Sequence, residues 1–222
     1  MGSSHIKGLL GEAALGFRKI RRAEMLPAVS MRETAEADSA EEADGLREYY
    51  EYNLVRFIQS FFPEENAFIL SMPLNKTYVR DIAIPVINPS QALEILPNEV
   101  ENRLPISLEE AEVIGEYWKS DEEASHFISY TAPLDEIQGS VEPLIRSGGN
   151  VRMLTVPTAA LASAIRILPE HLYLNRILGQ AEIGFQDTIV NILDSGMVCF
   201  TRSVPVGLAQ LLDSISEITG FD

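Results

Sequence analysis

A carboxylate, a tight glycine and a hydroxyl fall together in one short stretch of this chain, Glu182-Ile183-Gly184-Phe185-Gln186-Asp187-Thr188. Glycine has no Cβ, so backbone N–H groups there can approach an anion closely, and Thr188 adds a hydroxyl donor. Near the other end, Gly2-Ser3-Ser4-His5-Ile6-Lys7-Gly8 offers related chemistry: glycine, hydroxyls and a lysine opening a strand. Two such turns on one chain suggest two halves that close around a nucleotide phosphate chain. The candidate binding residues are therefore Gly2, Ser3, Ser4, Lys7, Glu182, Gly184 and Thr188. Plainer readings stand beside them. Lys7 also suits a strand edge and Thr188 is a good β-former, while the role offered to Glu182, a metal- or water-positioning carboxylate, falls to a side chain one methylene longer than aspartate. Met-Gly-Ser-Ser-His also opens many expression tags, although no histidine run follows here.

Composition narrows the chemistry. Of 222 residues, 17 are basic and 33 acidic, giving a net charge of −16. Such a surface repels phosphate backbones and anionic lipid, so nucleic acid and direct membrane adsorption are unfavourable partners. Hydrophobic residues make up 46% of the chain, enough for a real core. Cys199 is the single cysteine, which excludes an internal disulfide and a multi-cysteine zinc site. His5, His126 and His171 show no paired spacing, so no metal site is expected. No nucleophile motif identifies a catalytic residue. No apolar run is long enough to span a bilayer, and the chain reads as cytosolic.

The elements that would position these residues alternate between helix and strand. Two short strands over 5–11 and 16–26 flank a turn, and the second carries the basic cluster Arg18, Lys19, Arg21 and Arg22. The acidic stretch 32–45 reads either as a linker or as the polar first turn of a helix. Apolar residues at helical spacing follow over 46–62 until Pro63, then a short strand over 67–72. Strand 77–85 leads to a helix opened by Asn88-Pro89-Ser90, in which Pro97 marks a kink or an end. Strands 113–119 and 126–131 form a hairpin, and helix 134–146 stops at Ser147-Gly148-Gly149. Strand 151–156 precedes a helix from Pro157 to about Leu168. Strands 181–185, 188–193 and 197–206 lead into an amphipathic helix over 208–218. The class is α/β, with residues 73–148 set off as an inserted unit.

An ordered series of short motifs runs through these elements. It comprises Gly2, Ser3, Ser4, Ile6 and Lys7; Arg80, Asp81, Ile82, Ile84 and Pro85; Glu99, Glu101, Leu104 and Pro105. Glu182, Ile183, Gly184 and Thr188 follow, then Phe200-Thr201-Arg202-Ser203-Val204-Pro205-Val206-Gly207. The series resembles the PilM family of type IV pilus assembly proteins. The related GspL cytoplasmic domain of type II secretion and, more distantly, the cell-division protein FtsA share that architecture. The resemblance implies an actin-like (ribonuclease H-like) fold with a small inserted α/β subdomain. Residues 1–72 and 149–222 would form the body, subdomain 1A with the start of the following lobe, and 73–148 the inserted 1C-like subdomain. It further implies an ATP and Mg²⁺ cleft between the two phosphate turns. A partner peptide is also implied, the cytoplasmic N-terminal segment of a PilN-like inner-membrane protein, together with motor components. Location would be cytoplasmic and peripheral at the inner membrane.

The departures from the family pattern point away from catalysis. The family's first turn reads Asp-x-Gly-Ser-Ser, whereas only Met1 precedes Gly2 here. Glu182 stands where the family has aspartate, and bulky Phe185 follows Gly184. The chain stops after the 208–218 helix, so a truncated second lobe is expected. The resulting expectation is a scaffold with little or no catalysis, and the alternative is an active ATPase whose lobe closure regulates assembly.

Overall fold

The computed structural model describes residues 5–14, 17–27 and 40–220. Gly2, Ser3 and Ser4 lie outside the described residues, as does most of the acidic 32–45 stretch. The chain divides into two compact units, one of residues 1–71 with 140–154 and the other of 72–139 with 155–222.

In the first unit, β1 (His5–Ala14) and β2 (Phe17–Pro27) pair antiparallel, with a register shift at Leu10/Gly11. The long helix α1 (Ala40–Phe61) supplies Tyr50, Leu54 and Phe57 to a core shared with Ile6, Phe62 and Leu144. The end of the acidic stretch, from Ala40 onward, thus belongs to this helix. Gly8 is required by close approach: a Cβ there would meet the Phe62 ring at 2.5 Å and the Phe57 ring at 2.6 Å. β3 (Ala67–Ser71) pairs with β7 (Asn150–Thr155) as a second small sheet.

The second unit holds two three-stranded sheets. The first has the order β4 (Tyr78–Ile84), β6 (Ser125–Pro133), β5 (Ala111–Ser120). Helix α2 (Pro89–Glu101) starts with Asn88 Oδ1 accepting from the amides of Ser90 and Gln91, and it carries Pro97 in its interior. It lays Ala92, Leu96 and Val100 over Ile82, Ile84 and Phe127. Gly115 makes that contact possible, since a Cβ would stand 2.3 Å from Leu96. The β5–β6 hairpin is stapled at its turn by Asp121. Its carboxylate accepts from the amides of Glu123 and Ala124 and pairs with His126 at 2.7 Å, and these bonds hold it down at about 2.

The second sheet has the order β10 (Met197–Val204), β9 (Thr188–Asp194), β8 (Ile177–Ile183), all antiparallel. Its inner face presents Ile189, Leu193 and Val198 to Ile128 and Tyr130 of β6 and to Ala162 of α4 (Pro157–Ile165). Strand β6 is therefore covered on both faces. Two polar groupings lie in this core. Thr158, Asn191 and Thr201 are buried together and Thr158 joins the other two, its Oγ1 donating to Asn191 Oδ1 at 3.3 Å and lying 3.0 Å from Thr201 Oγ1. Asn191 Nδ2 donates to Gln180 Oε1 at 3.1 Å. Glu116 sits between Tyr130 Oη at 3.4 Å and the Arg166 guanidinium at 3.8 Å. Burial pushes its carboxyl upward, against the lowering pull of Arg166 and the Tyr130 hydrogen bond. Helix α3 (Leu134–Arg146) precedes β7, and α5 (Leu208–Thr219) ends at Gly220 in the left-handed region, φ 69°. No helix among the described residues is long and apolar enough to cross a membrane.

Candidate functional site

Glu182, Gly184 and Thr188 come together where β8 turns into β9, at the N-terminus of α5. The hairpin closes with the Gly184 N–H donating to the Asp187 carbonyl at 2.8 Å. The carbonyls of the turn then point at the helix. Gly184 O accepts from the Leu208 amide at 3.0 Å, and Phe185 O accepts from the Ala209 amide at 2.8 Å. The Gly207 amide donates to Gln210 Oε1 at 2.8 Å. These are the orphan donors of a helix start, and the turn caps them from a segment remote in sequence.

Two glycines allow this approach. A Cβ on Gly207 would stand 2.6 Å from Phe185 O and 2.7 Å from Gly184 O. Gly207 has φ −145°, an extended conformation open to any residue, so proximity rather than backbone freedom selects glycine. A Cβ on Gly184 would meet Asp187 O at 2.7 Å. The Thr188 hydroxyl donates to Val206 O at 2.6 Å, and Ser203 Oγ donates to Asp187 Oδ2 at 3.0 Å. Glu182 is exposed and lies opposite Ile189 in the ladder. Phe185 is also exposed.

A phosphate-binding turn needs free N–H groups and a positive helix end directed at the ligand. The described residues of this turn do not fit that requirement as they stand. The amides of Gly184, Gly207, Leu208 and Ala209 and the hydroxyl of Thr188 are all donated to protein oxygens. Glu182 is exposed beside the turn, where a carboxylate disfavours phosphate, and the Asp187 carboxylate is taken up by Ser203. Lys7 is exposed on β1 opposite Met25, in the other unit. The motif series contained Ser203 and Gly207 without a role for either, and Gln210 and the Ser203–Asp187 bond went unmarked. The one signal for them was the glycine placed directly before an amphipathic helix.

The other motif residues have mainly structural places. Ile82 and Ile84 are fully buried under α2, and Leu104 packs at the edge of the same cluster. Glu99 and Glu101 are exposed on α2. Arg80 donates to the Val79 carbonyl at 2.9 Å, and the Arg202 guanidinium lies over the Phe200 ring at 4.9 Å.

No protein-family model matches the chain, and no curated protein matches it significantly in sequence. Among solved structures it is similar to a chain of a PilM-PilN type IV pilus biogenesis complex. That likeness has a TM-score of 0.75 at 13% identity and covers 100% of this chain and 65% of the other. It is also similar to the cytoplasmic domain of EpsL, an inner-membrane component of the type II secretion system of Vibrio cholerae. There the TM-score is 0.52 at 13% identity, covering 97% of this chain and 70% of that one. The chain thus spans somewhat under two thirds of the length of the first. At such identities the likeness establishes architecture alone: the α/β fold expected from the motif series is shared with these two structures.

Proposed function

We propose that this chain is an actin-like, cytoplasmic scaffold of a type IV pilus or type II secretion platform, peripheral at the inner membrane. It acts by holding the cytoplasmic N-terminal segment of a PilN-like membrane protein, alongside motor components. The observation that carries this reading is a fold shared over the whole chain with part of a PilM-PilN complex. In this reading residues 73–148 correspond to the inserted subdomain and residues 1–72 with 149–222 to the body. The sheet of β4, β6 and β5 and the cluster under α2 are the inserted subdomain's own, while the compact unit that contains them also takes in residues 155–222 and leaves 140–148 to the other unit. An acidic chain, net −16, suits a peptide carrying basic residues.

What supports a scaffold over a nucleotide-driven ATPase is that the amides of Gly184, Gly207, Leu208 and Ala209 and the Thr188 hydroxyl are already donated to protein oxygens. A phosphate-binding role for Gly184 and Thr188 would require those bonds to be surrendered, while an ATP and Mg²⁺ role for Gly2, Ser3, Ser4, Lys7 and Glu182 does not depend on them. Isothermal titration with the N-terminal peptide of the PilN-like protein from the same organism tests the partner. Saturable heat is expected, with none from a scrambled peptide, and equal silence from both peptides discards the scaffold reading. A parallel Mg-ATP titration should stay flat up to about 1 mM, and saturation below that restores the ATPase.

A further inference from the structure

Three buried hydroxyls lie on the side of β6 that faces α2. Alternation along the strand puts Ser125, Ser129 and Thr131 on the same side as Phe127, which packs under Ala92, Leu96 and Val100. Ser125 Oγ donates to the Ile87 carbonyl at 2.9 Å. Neither Ser129 Oγ nor Thr131 Oγ1 has a hydrogen-bond partner among the described residues. Ser129 lies between Arg80 of β4 and Gly115 of β5, and a Cβ on Gly115 would run into Leu96 and Leu93 of the helix above. The Arg80 guanidinium donates to the Val79 carbonyl, not to Ser129. Thr131 lies between Tyr78 and Val113, and Val113 packs at the edge of the α2 cluster.

A buried hydroxyl without a partner has lost its water and gained no bond in return, so both of these count against the closed packing of α2. The helix is also weakened from within. Pro97 sits in its interior, and a proline nitrogen has no hydrogen to give the Leu93 carbonyl four residues earlier. The sheet beneath is held from its other side as well. Ile128 and Tyr130 of β6, with Val79 and Trp118 of the neighbouring strands, pack in a second cluster with Ile189, Leu193 and Val198.

We propose that α2 is a lid, which leaves the β4–β6–β5 sheet in a local opening that wets Ser129 and Thr131 while the sheet stays folded on its other core. Opening relieves both stranded hydroxyls at once. It gives up the contacts of Ala92, Leu96 and Val100, which hold the lid shut in the ground state. An isolated helix of 13 residues is marginal in water, so α2 melts as it lifts. The sheet with its lid therefore has two states, and a partner that binds one of them shifts the balance. This inference rests on buried groups beneath α2 and is independent of the partner proposed above.

Amide hydrogen exchange of the whole chain, read residue by residue, tests the lid. After correction for intrinsic rates, the amides of Leu96 and Val100 should exchange at least about tenfold faster than those of β6. Ser129→Ala combined with Thr131→Val removes the stranded hydroxyls and should slow α2 exchange about tenfold or more. Should that variant fail to fold, Pro97→Ala gives the Leu93 carbonyl a donor and should slow the same amides. One shared rate for α2 and β6 overturns the lid, because α2 would then open only when the whole unit does. Unchanged α2 exchange in a folded variant also overturns it, since the hydroxyls would then be satisfied by trapped water.

Discussion

Replacing Gly207 by alanine tests the central feature of the candidate site, the turn at 184–188 clamped onto the start of α5. The new Cβ would lie 2.6–2.7 Å from two backbone carbonyl oxygens, Phe185 O and Gly184 O, which cannot swing aside as a side chain would. Because φ is −145°, alanine meets no intrinsic backbone penalty there, and the cost is contact alone. Relief requires the turn to retreat, and retreat breaks the bonds from Leu208 N and Ala209 N. A net hydrogen bond contributes about 0.5–1.5 kcal/mol and overpacking costs about 1–3 kcal/mol. Together these give a loss of about 2–4 kcal/mol, or a fall in midpoint of about 5–15 °C for a chain of this length. Urea and thermal unfolding followed by circular dichroism measure the loss. Amide hydrogen exchange locates it: Leu208 and Ala209 should lose protection first. A variant within about 0.5 kcal/mol of wild type, with those amides still protected, would refute the clamp.

Asn191→Ala should cost about 2–4 kcal/mol in urea unfolding, because it strips partners from buried Thr158 and from Gln180 in one step. Glu116 has its carboxyl raised by burial, so the fold favours its protonated form. The stability it contributes is therefore full below the ordinary carboxyl range and is lost as pH rises through the raised value. Glu116→Gln should accordingly raise the thermal midpoint at pH 7, change it little at pH 4, and flatten the profile between. An unchanged profile would mean that the Arg166 pair compensates burial fully.

Much of the architecture was legible along the chain. Local signals sufficed for the helix over 134–146, stopped by its glycines, and for the helix opened by Asn88. The strands expected over 188–193 and 197–206 likewise leave Asp194, Ser195 and Gly196 as the β9–β10 turn, where Ser195 and Gly196 both take positive φ. Other features depended on partners far away in sequence. Strand β8 begins at Ile177, earlier than its pattern suggested, because its edge position leaves Ile177 and Ile183 exposed and blurs the alternation. Helix α4 ends at Ile165 rather than near Leu168. The chemistry of the candidate site was the least legible. Gly184 and Thr188 have the residue types of an anion-binding turn. Whether their donors are free depends on Val206 and on the helix beyond it, and only folding decides that.

Strand β6 gives one side of itself to the cluster under α2 and the other to the sheet that contains Leu193 and Val198. A ribosome delivers these pieces in order and at intervals. When α2 and the β5–β6 hairpin have emerged, the side bearing Phe127 can already be covered. The side bearing Ile128 and Tyr130 must wait for some seventy more residues, until Val198 is free of the exit tunnel. For that interval the nascent chain displays an oily strip on an otherwise finished sheet, which is where a chaperone would be expected to engage it first.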